Sequence, residues 1–225
     1  MMNEIITSDL KQAVKDFSYL IENQYPRKTI LKIISDRYLL NKTQRVLLGR
    51  GIFKKDEVEQ RVRKRTESIR DKLVYIDTYN VLFILSNYLL GRIVFIGNDG
   101  FIRDAGEVYG KLHREKVFLE AIGYLLDYLG YTIPAQTIFL IDSPVSFSGE
   151  LAIELKNLLI EKKVSGDART IHNPDAEMIK ISEGIVATSD SEILDESACQ
   201  LCDLPYLILN SRFSPELPDL RKIRG

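Results

Sequence analysis

Three aspartates stand where short apolar segments end. Asp77, Asp142 and Asp190 each follow a run rich in Ile, Val, Leu or Phe that has the length of a buried strand. Because ligands of an open α/β sheet bind at the carboxyl ends of its strands, we expect these side chains to converge there. Converging carboxylates repel one another in a site of low dielectric and need a counter-charge. The pattern therefore predicts a site for a divalent cation.

The segments around these acids alternate between strand-like and helix-like patterns from Lys72 onward. This alternation predicts an α/β fold with a mostly parallel sheet sandwiched by helices. The predicted strands span residues 73–76, 93–96, 137–141, 166–171, 184–188 and 206–209, and the second of them is hairpin-like. The predicted helices span residues 79–90, 111–129, 148–162, 175–183 and 191–201. Right-handed crossovers would place the strand-end loops on one edge of the sheet.

The charge of the chain divides unevenly between its two parts. Residues 1–73 contain 17 Lys and Arg against 10 Asp and Glu, whereas residues 74–225 contain 14 against 22. Three short helical patterns occupy the basic part, with apolar residues recurring at helical spacing. We therefore predict a small all-helical N-terminal domain, residues 1–72, and an α/β domain, residues 73–225.

Composition sets further limits on the class of protein. The hydrophobic fraction of 45% and the charged fraction of 28% are those of an ordinary globular protein. The chain has no apolar run of membrane-spanning length and no signal-peptide pattern at its start, so we expect a cytoplasmic protein with no membrane partner. Cys199 and Cys202 form a single C-x-x-C pair, which is too little for a structural zinc site and favours plain thiols.

Two segments are candidates for contact with nucleic acid. Arg61, Arg63, Lys64 and Arg65 form the most basic stretch, which is either a solvated helix face linking two domains or a surface that contacts phosphates. Arg103 is a further candidate cation for that contact.

The second segment, residues 143–149, precedes a predicted helix. Its backbone amides and the hydroxyls of Ser146 and Ser148 could cradle a phosphate, although an ordinary serine-capped helix start has the same composition. In the hairpin-like region, Asp99 lies between Asn98 and Gly100 and is predicted to be a turn residue.

Several strings resemble the PIN/NYN-like nuclease superfamily. The string Ile76–Leu82 is similar to its opening strand, which ends in Asp with a nearby Asn at the start of the first helix. The strings Asn173–Ile179 and Ile185–Leu194 resemble its third and fourth acidic motifs, in the same order and with similar separation. Together with Gly100–Asp104 and Ser146–Leu151, they make the chain similar to a prokaryotic family. That family has a basic N-terminal domain of unknown function and a PIN-like C-terminal domain.

The resemblance implies a metal-dependent phosphodiesterase that acts on RNA. Asp77, Asp175 and Asp190 would bind one or two Mg²⁺ or Mn²⁺ ions, with Asp142 as a further ligand or water-bridging acid. Such ions activate a water molecule and stabilise charge on phosphoryl oxygens. Many PIN domains carry the second acid on a helix, and here either Asp142 or Asp104 would fill that role.

The same resemblance assigns supporting roles to three polar residues. Asn80 would orient the first aspartate, while Thr188 and Ser189 would donate hydrogen bonds near the fourth acid or the scissile phosphate.

Three functions remain open at this point. The first is a Mg²⁺- or Mn²⁺-dependent ribonuclease, and the second is a non-catalytic module that binds RNA or a ribosome through the basic helices. The third is a Mg²⁺-dependent phosphohydrolase of a small metabolite, because acids at strand ends serve that chemistry too. A phosphatase of the haloacid-dehalogenase type would need Asp-x-Asp after its first strand, which Asp77-Thr78-Tyr79 does not provide. Homodimer formation is compatible with each of these functions.

Overall fold

The computed structural model describes residues 5–106 and 115–223. In chain order its elements are α1 (Ser8–Glu22), α2 (Arg27–Arg37), α3 (Lys42–Gly51), α4 (Lys55–Lys64), β1 (Leu73–Asp77), α5 (Thr78–Leu89), β2 (Val94–Ile96), β3 (Ile102–Asp104), α6 (Lys116–Thr132), β4 (Gln136–Asp142), α7 (Ser148–Glu161), β5 (Gly166–Ile171), α8 (Pro174–Lys180), β6 (Ile185–Ala187), α9 (Ser191–Glu196), β7 (Gln200–Cys202), α10 (Leu204–Phe213) and a 3₁₀ turn (Leu220–Lys222).

The described residues form two compact units, and each unit takes in more than one stretch of chain. Residues 5–63, 92–106 and 215–223 form the helical unit, and residues 64–91 and 115–214 form the α/β unit. The division therefore differs from the single boundary that charge predicted after residue 72. The β2–β3 hairpin and the C-terminal tail belong with the N-terminal helices, because their apolar side chains are part of the same core.

The core of the helical unit explains that grouping. Fully buried side chains of the first three helices, such as Phe17 and Leu47, pack in one cluster with Phe95 of the hairpin and Leu220 of the tail. Gly51 allows the close approach, because a Cβ there would lie 2.5 Å from Leu220 Cδ1 and 2.7 Å from Phe95 Cε2. The unit is therefore a helical bundle completed by residues distant in sequence.

The α/β unit contains a five-stranded sheet in the order β5-β4-β1-β6-β7, and every neighbouring pair is parallel. The predicted α/β class with a mostly parallel sheet is confirmed. Strands covered on both faces read as continuous apolar runs, which is why β4 and β6 were visible in the sequence. Helix α5 is buried on nearly all sides, as expected for a helix that is apolar all round.

In the α/β unit one predicted strand was wrong and one predicted helix was too long. Residues 206–209 are helical, because Asp203 caps α10 by accepting a hydrogen bond from Tyr206 N at 3.2 Å and Pro205 stands in its first turn. The last strand, β7, covers residues 200–202 and so begins at the end of the predicted helix 191–201. Helix α9 ends early, and Lys64 Nζ donates to carbonyl oxygens near that end, including that of Leu194 at 2.6 Å. A partner so far away in sequence leaves no local signal.

Two smaller points concern the limits of the helices. Helix α6 falls on the predicted helix 111–129, whose residues 111–114 lie outside the described residues. Among the described residues, none of the helices is both long and apolar enough to span a bilayer.

Candidate functional site

The predicted acids stand at the carboxyl-terminal edge of the sheet, around its central strand. Strand β1 lies between β4 and β6, so the chain connections diverge on either side of it, and such a switch point forms a crevice. Asp77 ends β1 and Asp142 ends β4. Asp190 caps the helix that follows β6, and Asp175 lies in the first turn of α8, which follows β5. The topology thus brings all four to one edge.

Asp77 is the most enclosed of these acids, with a relative exposure of 9%. Its Oδ2 accepts a hydrogen bond from Thr188 Oγ1 at 2.8 Å, and its Oδ1 accepts a weaker one from Asn80 N at 3.4 Å. Burial raises the pKa of Asp77 to about 7, against the lowering effect of both hydrogen bonds. The negative charges of Asp175 and Asp190 contribute to this rise. A cation bound near this carboxyl would lower its pKa and favour the ionised form.

Two hydrogen bonds connect the end of β1 to the segment after β6. Fully buried Thr188 donates to Asp77 and accepts from Asp190 N at 3.1 Å. Beside it, Asn80 Oδ1 accepts from Ser189 N at 2.9 Å. Asp190 is itself fixed, because its Oδ1 accepts from two amides in the first turn of α9. These bonds fix the position of Asp77 relative to the segment that carries Asp190.

Asp175 and Asp142 complete the group electrostatically. Partial desolvation raises the pKa of Asp175, and the negative charges of Asp190, Asp142 and Glu192 raise it further. The field of Asp142 also reaches the Tyr79 hydroxyl, since burial and then that charge raise the Tyr79 pKa to about 12. The four predicted acids are therefore linked by electrostatic interactions. Glu192, which the sequence reasoning missed, belongs to the same group and could have been noticed two residues after Asp190.

The donor chemistry of the edge suits a hard cation. All its candidate ligands are oxygens, which Mg²⁺ and Mn²⁺ prefer. Within residues 5–106 and 115–223, no three His, Cys, Asp or Glu side chains are close enough together to form a coordination shell. An ion at this edge would therefore have to be held through one or two carboxylates and keep several waters, as Mg²⁺ commonly is.

Two buried hydroxyls near this edge have no hydrogen-bond partner in the described part of the chain. The Ser189 side chain is 3% exposed and Tyr79 is 7% exposed, yet Ser189 Oγ and Tyr79 Oη bond to no protein atom. Leaving such groups unsatisfied is costly, and they are usually completed by water or a ligand. Ser189 was predicted to donate near the fourth acid or the scissile phosphate, while the hydroxyl of Tyr79 was missed because a tyrosine beside Phe83 in a helix resembles ordinary core.

The predicted phosphate-contact roles of Arg61 and Arg103 need correction. Both guanidinium groups are buried in the helical unit and bind the carboxylate of Asp99, Arg61 Nη1 at 2.6 Å and Arg103 Nη2 at 2.7 Å. The Arg61 guanidinium carbon also lies 3.9 Å from the ring centre of Phe53. Asp99 does stand in the hairpin turn, and its carboxylate pairs with both arginines. Although burial raises the pKa of Asp99, the two arginines lower it below the ordinary value.

Most of the other side chains of the basic stretch also make contacts within the protein. Lys64 Nζ donates to the carbonyl oxygens of Leu194, Asp195 and Ser197 at 2.6, 3.3 and 3.0 Å. Arg65 lies over the Tyr206 ring at 5.5 Å. Arg63 is exposed and its Nε donates to the Glu59 carbonyl oxygen at 3.2 Å. Of the four residues, Arg63 alone presents its side chain mainly to solvent, because the segment uses the others for packing.

The structure places the remaining predicted contacts as follows. Ser148 is buried, and its Oγ donates to the Ser143 carbonyl oxygen at 3.1 Å, so it closes the loop instead of facing a phosphate. Ser146 is exposed in the same loop. Asp104 lies in the helical unit, where it accepts from Gly106 N at 2.8 Å and stands 3.9 Å from Arg50. Asp142 is thus the candidate second acid within the α/β unit.

Comparisons with known proteins give two families and a relative. A family model described as "Protein of unknown function (DUF434)" matches residues 9–64, and one described as "Domain of unknown function (DUF5616)" matches residues 66–206. "Uncharacterized protein MJ0935" of Methanocaldococcus jannaschii is 31% identical over 187 residues, which is 82% of this chain and 88% of that protein. No solved structure matches the chain.

Proposed function

The chain belongs to the family described as a domain of unknown function (DUF5616), and we propose that it is a metal-dependent phosphodiesterase that cleaves RNA. The observation that carries the proposal is the enclosed Asp77, whose pKa is raised to about 7 by burial and by the charges of Asp175 and Asp190. Perturbed carboxyls of this kind are concentrated at functional sites. Here the carboxyl stands at the switch point of a parallel sheet, where ligands of such folds bind.

The proposed role of each residue follows from its position at the carboxyl-terminal edge of the sheet. Asp77, with Asp175 or Asp190 as a further direct or water-bridged ligand, would hold Mg²⁺ or Mn²⁺, whose chemistry is to polarise a phosphoryl oxygen and to lower the pKa of a bound water. Thr188 fixes the Asp77 carboxylate by donating to Oδ2, and Asn80 ties the segment after β6 to the same strand end. These two bonds pre-organise the acids, so that little reordering is needed when a substrate arrives.

RNA is the proposed substrate because of the PIN/NYN-like order of the acidic strings. The alternative of a non-catalytic RNA-binding module relied on the basic stretch, and the burial of Arg61 and the internal bonds of Lys64 leave little of that surface. The alternative of a small-molecule phosphohydrolase uses the same acids, so the assay must separate it from the nuclease.

The test is cleavage by the purified full-length chain. End-labelled single-stranded RNA and hairpin RNA would be incubated with Mn²⁺, with Mg²⁺ or with a chelator. A matched control is Asp167→Asn, because Asp167 is an aspartate of the same sheet at the start of β5, where it pairs with Lys156 at 3.0 Å. We expect Mn²⁺-dependent cleavage by the wild type and by Asp167→Asn, with a loss of at least about 100-fold in Asp77→Asn.

Other outcomes would redirect or reject the proposal. Equal cleavage by the wild type and Asp77→Asn would reject the role proposed for Asp77. Intact RNA together with turnover of a small phosphate ester would move the function to a phosphohydrolase. Salt-sensitive RNA binding without cleavage in any metal would favour the binding module.

A further inference from the structure

We infer that a cleft between helices α6 and α10 of the α/β unit binds a nucleotide, with tyrosine rings for the base and Arg212 for the phosphate. The cleft has a volume of about 370 Å³, which is within the range of small-molecule sites. Nucleotide binding here does not depend on the proposed RNA cleavage. The lining of the cleft includes Tyr124, Tyr128 and Tyr131 of α6 and Ile208, Ser211 and Arg212 of α10.

The cleft lies away from the acidic edge of the sheet. Helix α6 ends at Thr132 and leads into β4 at Gln136, whereas Asp142 is the last residue of β4. The end of α6 that carries Tyr128 and Tyr131 is therefore near the opposite edge. The seven residues of β4 span roughly 20 Å between the two edges. The cleft is thus a separate site from the candidate metal site.

Three tyrosines on one side of α6 supply the rings. Residues 124, 128 and 131 are spaced by four and then three, so they lie on the same face of the helix. The Tyr124 ring packs against the Phe213 ring of α10, with ring centres 5.3 Å apart and planes at 75°. Tyr131 is 81% exposed, so its ring is open to contact. A planar ligand can stack on rings arranged in this way.

The charges of the cleft favour an anion over a cation. Asp127 also lines the cleft, but its carboxylate pairs with Lys162 Nζ at 2.7 Å. Within residues 5–106 and 115–223, Arg212 forms no ion pair, and its guanidinium carbon lies 5.6 Å from the Tyr124 ring centre. This contact uses the face of the guanidinium, so its N–H groups can still bind a phosphate. A quaternary ammonium ligand would also suit tyrosine rings, but the arginine repels it.

A nucleotide combines the two groups that the cleft can recognise. Its base is a planar ring that stacks, and its phosphate accepts two parallel hydrogen bonds from a guanidinium. Tyr128 can add a donor, because burial raises its pKa to about 12 and its hydroxyl therefore keeps its proton at neutral pH. The nucleotide is either free or part of a single-stranded RNA, since both carry the same groups.

The experiment uses the absence of tryptophan from the chain. Tyr131→Trp places a single fluorescent probe in the cleft and keeps an aromatic ring there. The matched control probe is Tyr19→Trp, at an exposed tyrosine of α1 in the helical unit. Each protein would be titrated with adenosine 5′-monophosphate (AMP), adenosine, ribose 5-phosphate, tetramethylammonium and a single-stranded RNA oligomer. A chelator prevents metal-dependent cleavage, so nucleotide binding is measured whether or not the chain is a nuclease.

The expected result is quenching of the probe at position 131 by AMP, with no response from the control probe. Adenosine and ribose 5-phosphate each lack one of the two groups and should bind at least about tenfold more weakly. In the probe background, Arg212→Gln, at an exposed position, should weaken AMP binding about tenfold and leave adenosine binding unchanged. Arg37→Gln is the matched control and should have no effect, because Arg37 lies over the Tyr38 ring at the same 5.6 Å but outside the cleft.

Several results would overturn the inference. Equal affinity for AMP and ribose 5-phosphate would reject a role for the rings, and unchanged AMP binding in Arg212→Gln would reject the phosphate contact. Quenching by tetramethylammonium instead of AMP would identify a cation site, and quenching by protein concentration alone would show that a second copy covers the cleft. Tighter binding of the RNA oligomer than of AMP, weakened in Arg212→Gln, would support a nucleotide within a strand, whereas equal affinity would support a free nucleotide.

Discussion

Replacing Asp77 by asparagine should change how the stability of the protein depends on pH. The pKa of Asp77 is raised from its ordinary value of 3.8 to about 7, mainly by burial. Between those values the native state keeps a proton that the unfolded chain has released. Because the native state binds more protons there, the free energy of unfolding must fall as the pH rises, and the fall ends near pH 7. The Asp77→Asn variant has no titrating proton at this position, so it lacks this fall.

The size of the effect follows from the two pKa values. Each unit of pKa difference corresponds to about 1.4 kcal/mol, so raising the pH from 5 to 8 should cost the wild type about 3 kcal/mol through this group. The difference in unfolding free energy, Asp77→Asn minus wild type, should therefore grow by about 3 kcal/mol over that interval. In a chain of this length this is a relative gain of roughly 6 to 12 °C in Tm.

The assay is urea denaturation at several pH values in the presence of a chelator, because a bound cation would replace the proton. A constant offset from the altered hydrogen bond to Thr188 cancels when the two pH values are compared. Asp167→Asn is the control, since Lys156 holds the pKa of Asp167 below its ordinary value and its removal gives no gain at alkaline pH. Parallel pH profiles for wild type and Asp77→Asn would refute the reasoning.

Two further predictions concern other contacts. Asp99→Asn should lower the free energy of unfolding by about 3 to 5 kcal/mol in urea denaturation, because it leaves two buried arginines without their carboxylate, whereas Asp36→Asn at an exposed ion pair should cost under about 1 kcal/mol. Similar losses in both variants would contradict the role of burial. Thr188→Val removes a donor to Asp77, so the midpoint of the pH dependence of Mn²⁺ binding, measured by calorimetry, should move up by about one pH unit, and an unchanged midpoint would contradict the assigned hydrogen bond.

The strand ends were predictable from the sequence because both faces of the parallel sheet are covered. Continuous apolar runs marked β1, β4 and β6, and the acids followed directly from where those runs end. The same rule failed at residues 206–209, where a short apolar run forms a helix. Periodicity cannot separate the two cases, and the cap at Asp203 that decides between them was not recognised.

Contacts between distant parts of the chain were beyond sequence reasoning. Arg61 and Asp99 are 38 residues apart, and nothing near either residue signals that they form a buried ion pair. The basic stretch around Arg61 was therefore predicted to be a surface, whereas most of its side chains pack within the protein. The grouping of the hairpin and the tail with the N-terminal helices was invisible for the same reason, since Phe95 and Leu220 meet Gly51 only after folding.

The most direct test of the proposed metal site is a crystal of the full chain soaked in Mn²⁺ and measured for anomalous scattering. A Mn²⁺ peak should lie about 2.0 to 2.3 Å from a carboxylate oxygen of Asp77, with Asp190 or Asp175 as a further direct or water-bridged ligand. The peak should be lost in Asp77→Asn crystals and kept in Asp167→Asn crystals. A soaked crystal with no anomalous peak at the carboxyl-terminal edge of the sheet would contradict the metal-dependent function.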